Sequence, residues 1–264
     1  MLLKELINKS YYGVIGYISS LEDIDRTEQY INYNLPVLKE FKQILVATNY
    51  SNLEFINNNT QLWKKYFPNC ILIDSKINRG HNHGNADLDN ILFNYCKENN
   101  IEWLCKSAID TILQECILNK EINKSDFYYL NGISYEDLQL CDFNYDKILK
   151  DHFHPQTNFY LINVSKCGYL NDQKYLDDTF EQIKTIPDYN GKIWEYIEDW
   201  SCEGFLRKCI ERNNLKKCYL LNIDKHNKLC NTIKMYNIGD PSHKNLMIDG
   251  ICHFHNVNQN ILEI

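Results

Sequence analysis

Apolar residues in the first half of the chain fall into short runs separated by longer amphipathic segments. The runs are rich in β-branched and aromatic residues and are bounded by polar or glycine-containing segments, so they predict buried strands. They lie at residues 12–19, 43–48, 69–74 and 101–105. Between them apolar positions recur at helical spacing, as in residues 87–99. The alternation predicts an α/β fold with a doubly wound, mainly parallel sheet.

The alternation weakens after about residue 125. Aromatic strands are predicted at residues 126–132 and 158–164, and a helix is predicted at residues 194–213 after the breaker PDYNG. No repeat, low-complexity run or Pro/Gly/Ser-rich linker marks a boundary. We therefore expect residues 1–264 to form one domain, in which residues 126–264 elaborate a core formed by residues 1–125.

Composition and charge narrow the class of protein and its partners. Hydrophobic residues make up 44% and charged residues 24% of the chain, which is typical of a folded protein. The net charge of −7 disfavours binding to nucleic acid. The eleven cysteines are scattered, with no CxxC pair, so we expect mostly reduced, buried thiols. The sequence shows neither a signal peptide nor a transmembrane segment, and we expect a cytoplasmic protein.

The segment NRGHNHGNAD, at residues 78–87, follows the third predicted strand. Ligands of open α/β sheets bind outside the carboxyl ends of the strands. Two glycines permit close backbone approach, Arg79 supplies a positive charge, and the start of a helix favours anions. The segment is thus a candidate phosphate site. An ordinary Asn/Gly-rich turn between a strand and a helix is the alternative interpretation.

A carboxylate, Asp110, comes directly after the fourth predicted strand in WLCKSAID. At that position it would meet a metal-bound diphosphate. The alternative is a helix N-cap, because Asp110 is followed by Thr111, Ile112 and Leu113. Position alone does not decide between these two roles.

The order YGVIGYIS, NRGHNHGNADLDN, WLCKSAID resembles that of GT-A glycosyltransferases, in particular short viral or phage-like members. The resemblance covers residues 11 to about 115 and extends loosely to Phe205. It implies a GT-A-like fold, with a nucleotide-sugar-binding half at residues 1–125 and an acceptor-side half at residues 126–264. It also implies that the sugar donor is bound by Tyr17, Ser19, Arg79, Gly80, Asp87, Lys106 and Asp110.

The resemblance further implies a divalent cation, Mn²⁺ or Mg²⁺, held by an Asp-X-Asp motif. Here Ala108 occupies the place of the first acid, and Asp110 is the second. Another side chain can complete the coordination of such a cation. A late histidine, His253 or His255, is the candidate, because several GT-A enzymes use a histidine near the C-terminus.

On the acceptor side, the resemblance implies a general base near the start of a late helix. Glu203 in WSCEGFL is the first candidate and Asp199 the second. For Glu203 the alternative is an exposed position on a polar helix face. Gln156, which begins an aromatic strand, is the candidate acceptor contact, whereas the aromatic residues after it equally suit core packing.

The sequence therefore predicts a glycosyltransferase that moves a sugar, a hexose or a related one, from a nucleotide-diphosphate sugar to a glycan or another hydroxyl acceptor. The pairs His152/His154 and His253/His255 support a second hypothesis, a His-rich metal-dependent hydrolase. A third hypothesis is a non-catalytic module that binds sugars or nucleotides and has lost one acid of the metal motif.

Overall fold

A computed structural model describes residues 1–50, 53–75, 77–109, 111–131, 155–185, 201–220, 234–236, 245–248 and 251–253. The α-helices of this part of the chain are α1 (Leu3–Ile7), α2 (Leu21–Leu38), α3 (Leu53–Tyr66), α4 (Gly80–Glu98), α5 (Gln173–Ile183) and α6 (Cys202–Arg212). Short 3₁₀ helices lie at Glu115–Asn119 and Val164–Lys166. The strands are β1 (Tyr11–Ile18), β2 (Gln43–Tyr50), β3 (Ile71–Asp74), β4 (Trp103–Ala108), β5 (Thr111–Leu113), β6 (Phe127–Asn131), β7 (Pro155–Asn163), β8 (Lys217–Tyr219), β9 (Lys234–Tyr236), β10 (Asn245–Ile248) and β11 (Ile251–His253).

Seven strands form the main sheet in the order β3-β2-β1-β4-β7-β6-β8. The pairs β3/β2, β2/β1, β1/β4 and β6/β8 are parallel, whereas β7 runs antiparallel to both β4 and β6. Because β7 is reversed, its first residues lie at the edge of the sheet where β1 and β4 end. The predicted α/β class and the mainly parallel sheet are confirmed.

Helices cover both faces of the sheet, as a doubly wound arrangement requires. Side chains of β1 alternate between the faces, so that Tyr12 packs with Trp63 of α3 while Ile15 packs with Leu92 of α4. Trp63 is 1% exposed and Leu92 is fully buried. The two cores therefore lie on opposite faces of one sheet.

A second, antiparallel sheet joins distant parts of the chain in the order β5-β11-β10-β9. In its register Thr111 of β5 lies opposite His253 of β11. Thr111–Leu113 is thus a strand and does not open a helix, so the N-cap alternative for Asp110 is wrong. Asp110 itself lies outside the described residues.

Two helix boundaries differ from the predictions. Helix α4 begins at Gly80, seven residues before the predicted start, because Asn78 Oδ1 accepts a 2.9 Å hydrogen bond from Gly80 N and Gly80 adopts a φ of +76° that favours glycine. Helix α6 begins at Cys202, eight residues after the predicted start. The backbone of Ser201 is extended, with ψ of 158°, and its hydroxyl accepts from Gly204 N. Residues 186–200 lie outside the described part.

Most cysteines with described side chains are buried, as the sequence predicts. Eight cysteines with described side chains carry free thiols, and six of these are buried. Within the described ranges, no helix has both the length and the apolar character needed to cross a bilayer.

Candidate functional site

The ends of β1 and β2 meet the start of α4 at the carboxyl edge of the sheet. Tyr17 of β1 is 43% exposed and lies beside Asn49 of β2 in the strand register. Asn49 Nδ2 donates to Asn78 Oδ1 over 3.5 Å, the same oxygen that accepts from Gly80 N. Asn49 Oδ1 and Asn82 Nδ2 are buried and have no hydrogen-bond partner in the described part of the chain. This edge thus combines an exposed aromatic ring with unsatisfied amide groups.

Ser19 follows β1 and binds a carboxylate of the next helix. Its backbone N and its Oγ both donate to Asp23 Oδ2, over 2.9 Å and 2.8 Å. Burial acts to raise the pKa of Asp23, but the hydrogen bonds from Ser19 and Ser20 and the charge of Arg26 lower it on balance. The turn after β1 is thereby fixed, with an ionised carboxylate beside Ser19.

Arg79 connects the start of α4 to α5. Its Nε lies 3.3 Å from Asp87 Oδ2, and its Nη2 lies 2.8 Å from Asp177 Oδ1. Its guanidinium also lies over the ring of Phe180 at 5.3 Å. Asp87 accepts a further hydrogen bond from Gln173. Two of the residues expected to bind the sugar donor, Arg79 and Asp87, therefore bind each other.

Lys106 is 1% exposed on β4, and its ammonium faces α4. Its Nζ lies 3.3 Å from Asp89 Oδ1 and donates to the main-chain oxygen of Thr157. Tyr160 Oη donates to the other oxygen of Asp89 over 3.0 Å. Burial raises the pKa of Asp89 above its ordinary value, although Lys106 and Tyr160 act in the opposite direction. Lys106 is thus the centre of a buried polar cluster.

Glu203 lies in the first turn of α6 and is half-buried. Its Oε1 accepts a 2.9 Å hydrogen bond from Thr157 Oγ1, and its Oε2 accepts a 3.1 Å hydrogen bond from Cys202 Sγ. Thr157 belongs to the first residues of β7, at the edge of the sheet where β1 and β4 end. Glu203 is therefore not an exposed residue on a polar helix face, which was the alternative interpretation.

The first turns of α4 and α6 contact each other through aromatic side chains. The rings of His83 and Phe205 pack edge to face with their centroids 5.2 Å apart. Ala86, Leu176 and Phe205 form a small buried cluster beneath this contact. The helix start expected to bind phosphate and the helix carrying Glu203 are therefore neighbours on one face of the sheet.

Several predicted site residues have side chains outside the described part of the structure. Asp110, Asp199, His152, His154 and His255 lie outside it altogether. Gln156 lies in β7 and His253 in β11, and the structure describes only their backbone. Across the described ranges, no three His, Cys, Asp or Glu side chains cluster as a metal site. The roles of these residues therefore stay predictions.

Sequence reasoning missed three residues of this region: Asn49, Asp89 and Thr157. One signal was available for Asp89, because a lysine inside the apolar run WLCKSA needs a buried partner. Asn49 and Thr157 carry no such signal, since each is an ordinary residue of a strand.

No protein-family model matches the sequence, and no curated protein matches it significantly. Three solved structures that resemble the chain are glycosyltransferases. Galactosyltransferase LgtC, in complex with donor and acceptor sugar analogues, is 9% identical with a TM-score of 0.38, over 79% of this chain and 72% of LgtC. The glycosyltransferase GlyE of Streptococcus pneumoniae TIGR4 is 12% identical with a TM-score of 0.35, over 80% of this chain and 45% of GlyE. The bifunctional glycosyltransferase WbbM is 13% identical with a TM-score of 0.41, over 80% of this chain and 39% of WbbM.

Proposed function

We propose that the chain transfers a sugar from a nucleotide-diphosphate sugar to a hydroxyl group of an acceptor. The observation that carries this proposal is the contact between the first turns of α4 and α6, where His83 packs against Phe205. It brings a helix start suited to phosphate close to Glu203, a carboxylate suited to proton transfer. A transferase of this class needs both groups within the length of one bound donor and acceptor.

The sugar donor would lie across the ends of β1 and β2, with its diphosphate at the start of α4. The backbone N–H groups of the first turn and the dipole of a 19-residue helix favour an anion there. Tyr17 and Ser19 would contact the nucleoside. Arg79 would contact the diphosphate, because Asp177 is 47% exposed and a phosphate can compete with it for the guanidinium.

Mn²⁺ or Mg²⁺ would be held by Asp110 together with a late histidine. The pairing of Thr111 with His253 supports this choice, since it sets the backbone of His253 opposite the residue that follows Asp110. His255 is the second candidate. A divalent cation supplies positive charge that offsets the charge of the leaving diphosphate.

Glu203 would accept the proton of the acceptor hydroxyl while the oxygen of that hydroxyl bonds to the anomeric carbon of the donor sugar. The bond from that carbon to the diphosphate breaks, and the diphosphate leaves with the electron pair. Asp199 is the second candidate for the base. Gln156, at the start of β7 beside Thr157, would bind the acceptor.

The sugar donor can be identified by thermal shift with UDP-glucose, UDP-galactose, UDP-N-acetylglucosamine and GDP-mannose, each with and without Mn²⁺. A ligand that binds only the folded protein raises its melting temperature by mass action. No shift with any of the four would count against a glycosyltransferase using these donors.

The base assignment is tested with Glu203→Gln. Turnover is measured as the nucleoside diphosphate released when the sugar of the best donor is transferred to water. In Glu203→Gln we expect this turnover to fall about a hundredfold or more, with donor affinity unchanged. Glu211→Gln, at an exposed position of the same helix, is the matched control and should keep full turnover. Equal losses of affinity and turnover in Glu203→Gln would contradict a role as base.

A further inference from the structure

We propose that Thr157 is a positioning residue, which holds the Glu203 carboxylate in the orientation needed to accept a proton, and that the buried Asp89–Lys106 pair fixes Thr157 in place. The proposal rests on the proposed function, since it requires Glu203 to act as the base. It assigns a role to Lys106 that differs from the expected contact with the sugar donor.

The two oxygens of Glu203 are each held by one protein group. Thr157 Oγ1 donates to Oε1 and Cys202 Sγ donates to Oε2, and these two donor atoms lie 3.2 Å apart. An ionised carboxylate has about four lone-pair sites, so the two bonds leave capacity for an acceptor hydroxyl. The carboxylate is therefore fixed at both oxygens while it remains able to take up a proton.

Thr157 is itself fixed through its main chain. Lys106 Nζ donates to Thr157 O from the neighbouring strand β4, and Thr157 is 6% exposed. Asp89 of α4 balances the charge of Lys106, and Tyr160 Oη holds the second oxygen of Asp89. A continuous set of contacts thus runs from α4 through β4 and β7 to the first turn of α6.

The energetics of a buried ion pair argue that this pair has a purpose other than stability. Removing two charges from water is costly, and replacing a buried pair by apolar residues of similar volume is often neutral or stabilising. Lys106 and Asp89 are 1% and 3% exposed, so their desolvation is nearly complete. The pair instead orients Thr157, because the Lys106 ammonium holds the Thr157 carbonyl at one fixed position.

The carboxylates of Asp89 and Glu203 also interact electrostatically. The charge of Glu203 contributes to raising the pKa of Asp89, after the larger effect of burial. The positive charge of Lys106 lowers the pKa of Asp89 and so opposes this effect. Removing Lys106 alone would leave Asp89 buried without its counter-charge, which is why the test substitutes both members of the pair.

The first test compares Thr157→Val with Thr157→Ser in the donor-hydrolysis assay, with UDP-glucose, UDP-galactose, UDP-N-acetylglucosamine and GDP-mannose as probes. Valine keeps the shape of threonine and removes the hydroxyl, whereas serine keeps the hydroxyl. For Thr157→Val we expect kcat to fall about ten- to a hundredfold, the scale of a small misplacement of a catalytic group, with KM for the sugar donor and Tm unchanged. Thr157→Ser should recover most of the lost kcat.

The second test uses the double variant Asp89→Asn, Lys106→Met, which removes both charges together. Its kcat should fall to a similar extent while KM is kept. If Thr157→Val keeps full kcat while Glu203→Gln loses it, the positioning role is overturned and the proposed function stands. Equal losses in Thr157→Val and Thr157→Ser would also overturn it, because the hydroxyl would not be the cause. If Glu203→Gln keeps full turnover, the base assignment fails and this proposal fails with it.

Discussion

Acidification is expected to destabilise the protein through one buried histidine, His83. This residue is 1% exposed in α4, with the rings of Phe180 and Phe205 at 5.7 Å and 5.2 Å. Its Nε2 lies 3.0 Å from Thr179 Oγ1. The hydroxyl proton of Thr179 is donated to Tyr175 O over 2.8 Å, so the Thr179 oxygen accepts from His83. The neutral ring therefore carries its proton on Nε2.

The size of the effect follows from the pKa of His83. Burial, and then the positive charge of Arg79, lower this pKa from 6.5 to about 4. Between these two pH values the unfolded chain binds a proton that the folded protein does not bind. The stabilisation is thus complete above about pH 7 and is lost as the pH falls toward 4. The slope is about 1.4 kcal/mol per pH unit, and the total loss is about 3 kcal/mol.

The assay is urea unfolding followed by tryptophan fluorescence at pH 7.5, 6.5, 5.5 and 4.5, for the native chain and for His83→Gln. Glutamine keeps an N–H donor for Thr179 and does not titrate, so the other titrating groups cancel in the comparison. Between pH 7.5 and 4.5 the native chain should lose about 2 to 3 kcal/mol more free energy of unfolding than the variant. Parallel pH profiles would refute the argument that His83 is buried in its neutral form.

Two further predictions concern packing and the cation. Gly13→Ala places a methyl group 2.8 Å from Leu92 Cδ1 and 3.0 Å from Leu104 Cδ1, so urea unfolding should show a loss of about 1 to 3 kcal/mol. Gly168→Ala is the control, since a methyl group there meets nothing within 4 Å. Asp110→Asn should weaken binding of the best sugar donor and remove most of its dependence on Mn²⁺, as measured by calorimetry; unchanged binding would exclude Asp110 as a metal ligand.

Six of the seven strands of the main sheet, all except β8, could be predicted because their signal is local. A strand buried on both faces is a short apolar run, and β2 begins at the predicted residue, Gln43. Strands β1, β3, β6 and β7 also begin within three residues of their predicted positions. Their order in the sheet follows from the rules for crossover connections only where strands and helices alternate. The reversed strand β7 lies beyond that region.

The start of α4 was harder to predict because tertiary contacts stabilise its first turns. The segment from Gly80 to Asp87 is rich in Asn, Gly and His, which are poor helix formers. It is helical because Ala86 and His83 are buried against α5 and α6. Packing of an inner face supplies most of the stability of a helix in a protein, and the partners of that face are far away in sequence.

In the candidate site, too, neighbouring residues in the sequence predict some features, whereas contacts between distant residues decide others. Lys106 is a charged residue inside an apolar strand, and the physical cost of burying it unpaired makes a partner necessary, so the need for an acid was predictable. The identity of that acid could not be predicted, because Asp87 and Asp89 are both acids of α4. Their positions two residues apart set them on different sides of the helix, since successive residues are separated by about 100°. Asp89 faces β4 and binds Lys106, whereas Asp87 faces α5 and binds Arg79. A shift of α4 by a single residue in either direction would break the Asp89–Lys106 pair and the hydrogen bond from Gln173 to Asp87. The register of this helix on the sheet therefore decides how the charges of the site are arranged.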